Sequence, residues 1–304
     1  MFAVKNRKIF FAISGVMLLA SYALMLIWGF NVGTDFKGGT IVEVKYTENV
    51  PEKSVIEEAL KGLNLGDASV RRAGETGFIV RMKDLSADDQ ELLKSAMSVN
   101  NAYPYELERL NSVGPTIGKE LTEKAWVAIV VIIIITILFI AYAFRGVSFS
   151  KGKGVSSWVY GFVSIVALIH DITIPAVAAV IFGKFLGMEV DALFVTALLS
   201  LLGYSINDTI IIFDRIRENL KENQERNLGE SFENTVGKSL SQTYGRSINT
   251  SLTVFLVLVS LLVLGSASVK FFILTLIIGT IAGVYSSIFL AAPLLVEINN
   301  RRRK

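Results

Sequence analysis

Ionisable side chains inside apolar sequence are the first candidates for chemistry. Asp208 follows Asn207 in Gly203-Tyr-Ser-Ile-Asn-Asp-Thr209, directly after the apolar run 192–202. His170 and Asp171 sit side by side in the middle of another apolar stretch. Arg246 stands just before a third, where Asn249, Thr250, Ser251 and Thr253 carry polarity into the apolar run. A carboxyl group in low dielectric prefers its neutral form, and a nearby guanidinium opposes that preference. If Asp208 and Arg246 meet in one conformation and part in another, proton affinity changes with conformation. Intramembrane ionisable groups cost ~2.5–3.5 kcal/mol on insertion scales, so they face a bundle interior or water. The chemistry these residues offer is proton binding.

Each has a plainer alternative. Asp208 can be a packing hydrogen bonder paired with Asn207 or Thr209. His170 and Asp171 can be a satisfied polar pair, since helix neighbours point about 100° apart and spacing alone does not join them. Arg246 can be a cationic anchor at the membrane edge. Asp214, Arg215, Arg217 and Glu218 read as a solvated helix end. With no cysteine and one histidine, thiol chemistry, disulfides and a polyhistidine metal centre are excluded. Lys151-Gly-Lys-Gly154 lacks the upstream glycine and following Ser/Thr of a phosphate loop. No cofactor or metal is implied. An intramembrane hydrolase would need a nucleophile–base pair, and none is visible. The net charge of +3 is too small to point to nucleic acid.

The elements that must position these residues are membrane helices. A chain of 304 residues that is 52% hydrophobic falls in the polytopic membrane class. Runs of about 20 apolar residues occur at 9–30, 125–144, 156–182, 191–213, 248–265 and 271–296. The first has too long an apolar run for a signal peptide, and Trp28-Gly-Phe-Asn31 is a poor cleavage site, so it reads as an uncleaved anchor. Lys5, Arg7 and Lys8, then Arg145, Lys151 and Lys153, then six basic residues within 214–247, then Arg301-Arg-Arg-Lys304 all fall on one side. The short loops opposite offer only Lys184 and Lys270. Both termini are therefore expected in the cytoplasm. Expected organisation is 1–30 for the N-terminus and first span, 31–124 outside, and 125–304 for the other five spans and their cytoplasmic loops.

The outer segment has the texture of a small α+β domain. Thr40–Tyr46 alternates as a strand does, as do Ala68–Arg72 and Phe78–Met82 around a turn with Gly74 and Gly77. Pro51–Leu60 reads as a helix with proline in its first turn. Ser86–Ser98 reads as a second helix capped by Ser86, with Leu92, Leu93 and Met97 as its apolar stripe. Tyr103–Leu110 is a last strand. The order βαββαβ predicts a ferredoxin-like domain, thin enough to lean on a partner or on the membrane bundle. Phe232, Val236, Leu240 and Tyr244 recur every fourth residue and predict an amphipathic helix on the cytoplasmic membrane surface. Gly279-Thr-Ile-Ala-Gly283 is a small-xxx-small pattern that predicts close helix packing.

Together these stretches resemble the SecF family, one half of the bacterial SecD–SecF protein-export accessory complex in the resistance-nodulation-division superfamily. Gly33-Thr-Asp-Phe-Lys-Gly-Gly-Thr40, with Asp35, Phe36, Gly38 and Gly39, resembles the motif opening the family's external domain. Val113–Leu121 resembles its return into the second span. His170-Asp171 matches its third-span pair, Gly203–Asn219 its most recognisable block, and Leu240–Arg246 with Asn249-Thr-Ser its approach to the fifth span. The resemblance covers nearly the whole chain. Thr34 and Phe213 stand where the family often has Ile and Ser or Val, with no functional consequence expected.

The resemblance implies a six-span subunit of the bacterial cytoplasmic (inner) membrane paired with SecD as a heterodimer. Further implied partners are the SecYEG channel, YajC, unfolded secretory polypeptides, protons and membrane lipid. The pair would use the proton-motive force to draw secreted chains outward late in translocation. Asp208 matches the family's fourth-span proton-pathway carboxylate, and Arg246 the arginine beside it; His170, Asp171, Asn207 and Asp214 would be supporting polar groups. Two rivals remain: a passive scaffold for the export channel, which does not need Asp208 to titrate, and half of a small-molecule or lipid exporter, whose cargo domains need more than residues 31–124.

Overall fold

The computed structural model describes residues 2–63, 68–99, 101–144 and 155–302. Arg145, Lys151 and Lys153, the Lys151-Gly-Lys-Gly154 stretch, Arg303 and Lys304 lie outside the described residues. The protein is a multi-pass α-helical membrane protein with one small α+β domain. The chain runs through α1 (Phe2–Lys5), α2 (Arg7–Trp28), α3 (Thr34–Lys37), β1 (Gly39–Tyr46), α4 (Lys53–Lys61), β2 (Ser69–Ala73), β3 (Gly77–Met82), α5 (Ala87–Met97) and β4 (Tyr105–Val113). It continues with α6 (Pro115–Ala143), α7 (Ser157–Leu186), α8 (Ala192–Glu225), α9 (Phe232–Leu264) and α10 (Lys270–Tyr285). A π-helical segment, Ser286–Ala291, joins α10 to α11 (Ala292–Arg302).

Six helical runs among the described residues are long and apolar enough to cross a membrane: α2, α6, α7, α8, α9 and the composite α10–α11. Several overrun the apolar stretches read from the sequence. Pro115 opens α6 at its first turn, where a missing N–H costs nothing, so the helix starts well before its apolar part. The 232–244 repeat is not a separate surface helix, as the sequence reading had it. It is the first half of α9, unbroken to Leu264. Phe232, Val236 and Leu240 are buried in the core that α7, α8 and α11 share, and Tyr244 is exposed. A periodic stripe that finds helices to pack on does not need a lipid surface.

The α+β domain has sheet order β2-β3-β1-β4 with every pair antiparallel, the split βαββαβ arrangement. Alternation sorts its side chains. Val42, Val44 and Tyr46 of β1 point into a core with Ile56 and Leu60 of α4 and Leu93 and Met97 of α5. The Tyr46 hydroxyl donates to Met97 O at 2.8 Å, and burial pushes its pKa up to about 12. Ser86 caps α5 by accepting from Asp89 N. Two local readings need correction. Leu92 turns outward, and Pro51 precedes the helix cap Glu52 rather than entering α4. The opposite face of the sheet, with Ile41, Glu43, Ile79 and Arg81, shares a small cavity with Met188, Glu189 and Phe271. The thin domain thus leans on the bundle, at the α7–α8 connection and the start of α10.

Candidate functional site

The α8 helix lies between α7, α9 and α10 and carries both ends of the site. Close approach to α10 needs glycine: a Cβ at Gly279 would overlap Leu201, and one at Gly283 would press on Ser205 at 3.3 Å. The small-xxx-small pattern is therefore an internal α8–α10 contact.

Asp171 of α7 is buried, 2% exposed. Its Oδ2 accepts from Ser205 Oγ of α8 and from Ser286 Oγ at 2.7 Å, the first residue of the π segment. Its Oδ1 lies 3.1 Å from His170 Nδ1. The two neighbouring side chains do meet. The His170 ring stacks on Tyr285, centroids 5.6 Å apart, and its Nε2 has no hydrogen-bond partner among the described residues. One turn along α8 from Ser205, Thr209 hydrogen-bonds Ser287 at 2.9 Å. The π segment thus offers two consecutive hydroxyls, one to α7 and one to α8. Such segments leave the regular hydrogen-bond ladder and recur at functional sites.

Asp208 is also buried, but in a different setting. Its Oδ2 accepts from Ser251 Oγ of α9 at 3.3 Å, and it lines a cavity of about 370 Å³ between α8, α9 and α10. Asn207, Thr250, Thr253 and Thr280 supply further polar wall. The rest of its wall is largely apolar, with Leu201, Val254 and Val284, so its polar groups cluster around Asp208. The site therefore pairs a buried carboxylate, clamped by hydroxyls, with one that lines a cavity of mixed polar and apolar wall.

Arg246 does not reach Asp208 here. It lines a separate cavity of about 290 Å³ with Asp214, Arg215, Glu218 and Gln242. Asp208 faces Ser251, five residues further along α9, or about 7.5 Å of rise. Asn207 is exposed on the chamber wall. Asp214 is exposed and pairs with Arg217 at 3.1 Å, while Arg215 pairs with Glu218 at 2.6 Å. Asp35 is buried at the start of α8, away from Asp208, where its Oδ2 accepts from Ala192 N at 3.0 Å; Gly38 packs on Pro115, Gly39 on Met82 O, and Phe36 O on Gly118. Ser205, Ser286 and Ser287 escaped the sequence reading. A serine in an apolar helix is ambiguous, because most bond their own chain four residues back, as Ser164 and Ser200 do here. Ser286 and Ser287, adjacent and so unable to share one helix face, were the available signal.

The family model described as Protein export membrane protein SecD/SecF, C-terminal, matches residues 94–301, and the SecD/SecF GG Motif matches residues 25–50. The chain is similar to the protein translocase subunit SecF of Anaerolinea thermophila, 36% identical across 96% of this chain and 92% of the relative. It is equally similar to that of Thermobaculum terrenum, 36% identical across 98% and 94%. Among solved structures it is similar to SecDF, a translocon-associated membrane protein from Thermus thermophilus, at 29% identity and TM-score 0.80. The alignment covers 98% of this chain and 38% of that one, so the chain spans well under half of the SecDF polypeptide. SecDF in a super-membrane-facing form is matched at TM-score 0.65. By its fold, its motifs and these likenesses, the chain belongs to the SecD/SecF family of protein-export membrane proteins, among the SecF subunits of protein translocase.

Proposed function

We propose that this subunit couples the proton-motive force to late steps of protein export, acting with SecD beside the SecYEG channel, with YajC as a further candidate partner. It would sit in the cytoplasmic membrane with both termini inside and the α+β domain outside. The observation that carries the reading is Asp208: a carboxylate within the bundle, on a cavity between α8, α9 and α10, hydrogen-bonded by a serine and unpaired with Arg246. An intramembrane carboxylate is costly unless it is used.

The geometry suggests how it works. Arg246 lies about 7.5 Å from the level of Ser251 along α9, little more than one helical turn. A slide of α9 past α8 by roughly one turn, about 5.4 Å, is a known kind of two-state transition and would carry Arg246 toward Asp208. Protonation from outside neutralises Asp208 and favours the unpaired arrangement seen here. Release of the proton to the cytoplasm restores the pair. Asp171, held by Ser205 and Ser286, keeps α8 registered against α7 and the π segment while α9 shifts. The outer domain grips or blocks back-sliding of an unfolded chain, which requires no covalent step.

The test is Asp208→Asn, co-expressed with SecD, with export of a secretory protein followed with and without a proton gradient at equal subunit amount and assembly. Loss of only the gradient-dependent part of export is expected. Full retention of that part refutes the coupling role of Asp208 and leaves the scaffold reading.

A further inference from the structure

The motif Gly33–Thr40 has no role in the proton site, yet close contacts fix it at both ends. At its start, Gly33 N donates to Val190 O and Val190 N donates to Asn31 O, each at 2.8 Å, a one-residue parallel bridge that ties the end of α2 to the α7–α8 connection. Asn31 Nδ2 adds a bond to Met188 O at 3.1 Å. Asp35 then does something unusual. The first N–H groups of a helix have no partner within it. Asp191, the residue before α8, accepts from Phe194 N at 2.8 Å. Asp35 accepts from Ala192 N at 3.0 Å, although it lies 157 residues away in sequence. The start of α8 is thus held by two carboxylates, its own and one from the motif, both favourable at the positive end of a helix.

The other end of the motif is locked to the domain and to α6. Gly38 has φ +81°, and a Cβ there would stand 2.9 Å from Pro115 Cα. Gly39 has φ +143°, and a Cβ there would stand 2.6 Å from Met82 O of β3. Only glycine fits either place. Gly118 of α6 leaves room for Phe36 O, which a Cβ would approach to 2.8 Å. Thr40 Oγ1 shares a 2.6 Å hydrogen bond with Ser112 of β4 and accepts from Leu85 N at 3.2 Å. Around this knot, Arg81 pairs with Glu189 at 2.9 Å, and Arg71 Nη1 donates to Leu186 O and Gly187 O at 3.0 and 2.6 Å.

We infer that Asp35 is a positioning residue that fastens the start of α8 to the α+β domain, making Gly33–Thr40 the joint through which movement of the helix carrying Asp208 reaches that domain. The fastening stands on the contacts above. The transmitted movement rests on the proposed role of Asp208. No more than five residues separate the Ala192 contact from the first residues of β1, so the link has little slack.

The chain has no cysteine, so spin labels can be placed at will. Labels at Asp88 on α5 and Lys184 on α7, both exposed, report the domain–bundle distance in the subunit reconstituted with SecD. Asp35→Ala is expected to broaden that distribution, with the docked-to-undocked ratio falling roughly fivefold, as loss of a cap of ordinary strength implies. Label pairs within the domain and within the bundle stay unchanged. Asp35→Asn retains a side-chain acceptor and restores the narrow distribution. Ala192→Pro removes the same hydrogen bond from the other side. Proline is tolerated at a first helical position, and Asp191 already has the extended backbone that must precede it, φ −120° and ψ −176°. It should reproduce Asp35→Ala, and it decides the matter if Asp35→Ala fails to assemble. An unchanged distribution in either assembled variant overturns the joint. Adding Asp208→Asn separates the two claims. If it leaves the domain–bundle distance of the parent unmoved, the coupling reading fails while the width comparison still decides the joint. If it moves the parent, Asp35→Ala should abolish that movement and leave the α8–α9 distance responding.

Discussion

The hydroxyl clamp on Asp171 yields a prediction whose size is diagnostic. Ser205 and Ser286 both donate to Oδ2 of a carboxylate that is 2% exposed, from two different elements. Interhelical hydrogen bonds between neutral groups in membranes average ~0.6 kcal/mol, whereas bonds to a charged partner contribute ~1.5–3 kcal/mol. A buried carboxyl prefers its neutral form, and bonds donated to it oppose that preference; if those bonds keep Asp171 ionised as the anchor that registers α8 against α7, its coupling to Ser205 falls in the second range. The perturbation is a double-mutant cycle of Asp171→Leu and Ser205→Ala, read as unfolding free energies from detergent titration of the subunit. Ser205→Ala alone should cost ~1.5–3 kcal/mol and almost nothing once Asp171 is Leu. Ser286→Ala should cost less than Ser205→Ala, because the same hydroxyl also reaches Gly283 O at 3.1 Å, a bond already supplied by the helix. A Ser205 coupling near ~0.6 kcal/mol would be that of a neutral pair and would refute the charged-anchor reasoning.

Other expectations concern the domain, the packing and the arginine. Burial first, then the neighbouring Glu108, raises the Glu43 carboxyl above its ordinary range, and burial raises Glu189. The folded state then holds protons that the unfolded chain has released, so stability falls as pH rises through that window and returns toward acid. The unfolding temperature of the domain in the whole subunit should therefore rise as the buffer is taken down from neutral toward the ordinary carboxylate range, with a smaller slope in Glu43→Gln. Gly279→Leu should drive its side chain into Leu201, cost ~1–3 kcal/mol by overpacking, and widen an α8–α10 label distance. Arg246→Lys, which keeps the charge, should retain part of gradient-dependent export, and Arg246→Gln none; equal activity of the two would remove Arg246 from the cycle.

How much of this was legible follows from the range of each interaction. The alternation in Thr40–Tyr46 and the Ser86 cap are local, and they read directly. The six apolar helices read equally well, because a bilayer leaves few other structures for such runs. Asp208 stood out because a carboxylate in apolar sequence has few excuses. Ser251 is visible among the polar residues that run into the apolar stretch, but its pairing with Asp208 is not, since hydroxyls are common in helices and bond their own backbone. The meeting of His170 with Asp171 depends on rotamers, which spacing does not encode. The contact between Asp35 and Ala192 joins residues 157 apart, beyond any periodic pattern. The surface helix at 232–244 was misplaced for the same reason: its stripe was visible, but the helices waiting to cover it were not.

The central claim is that Asp208 binds and releases the coupling proton. The most direct measurement is infrared difference spectroscopy of the subunit reconstituted with SecD, stepped between acid and alkaline buffer. The account predicts a carboxyl C=O band that appears on acidification, is absent in Asp208→Asn, and persists when Asp171 is replaced by Asn. A titrating band that survives in Asp208→Asn, with no band lost, would contradict it.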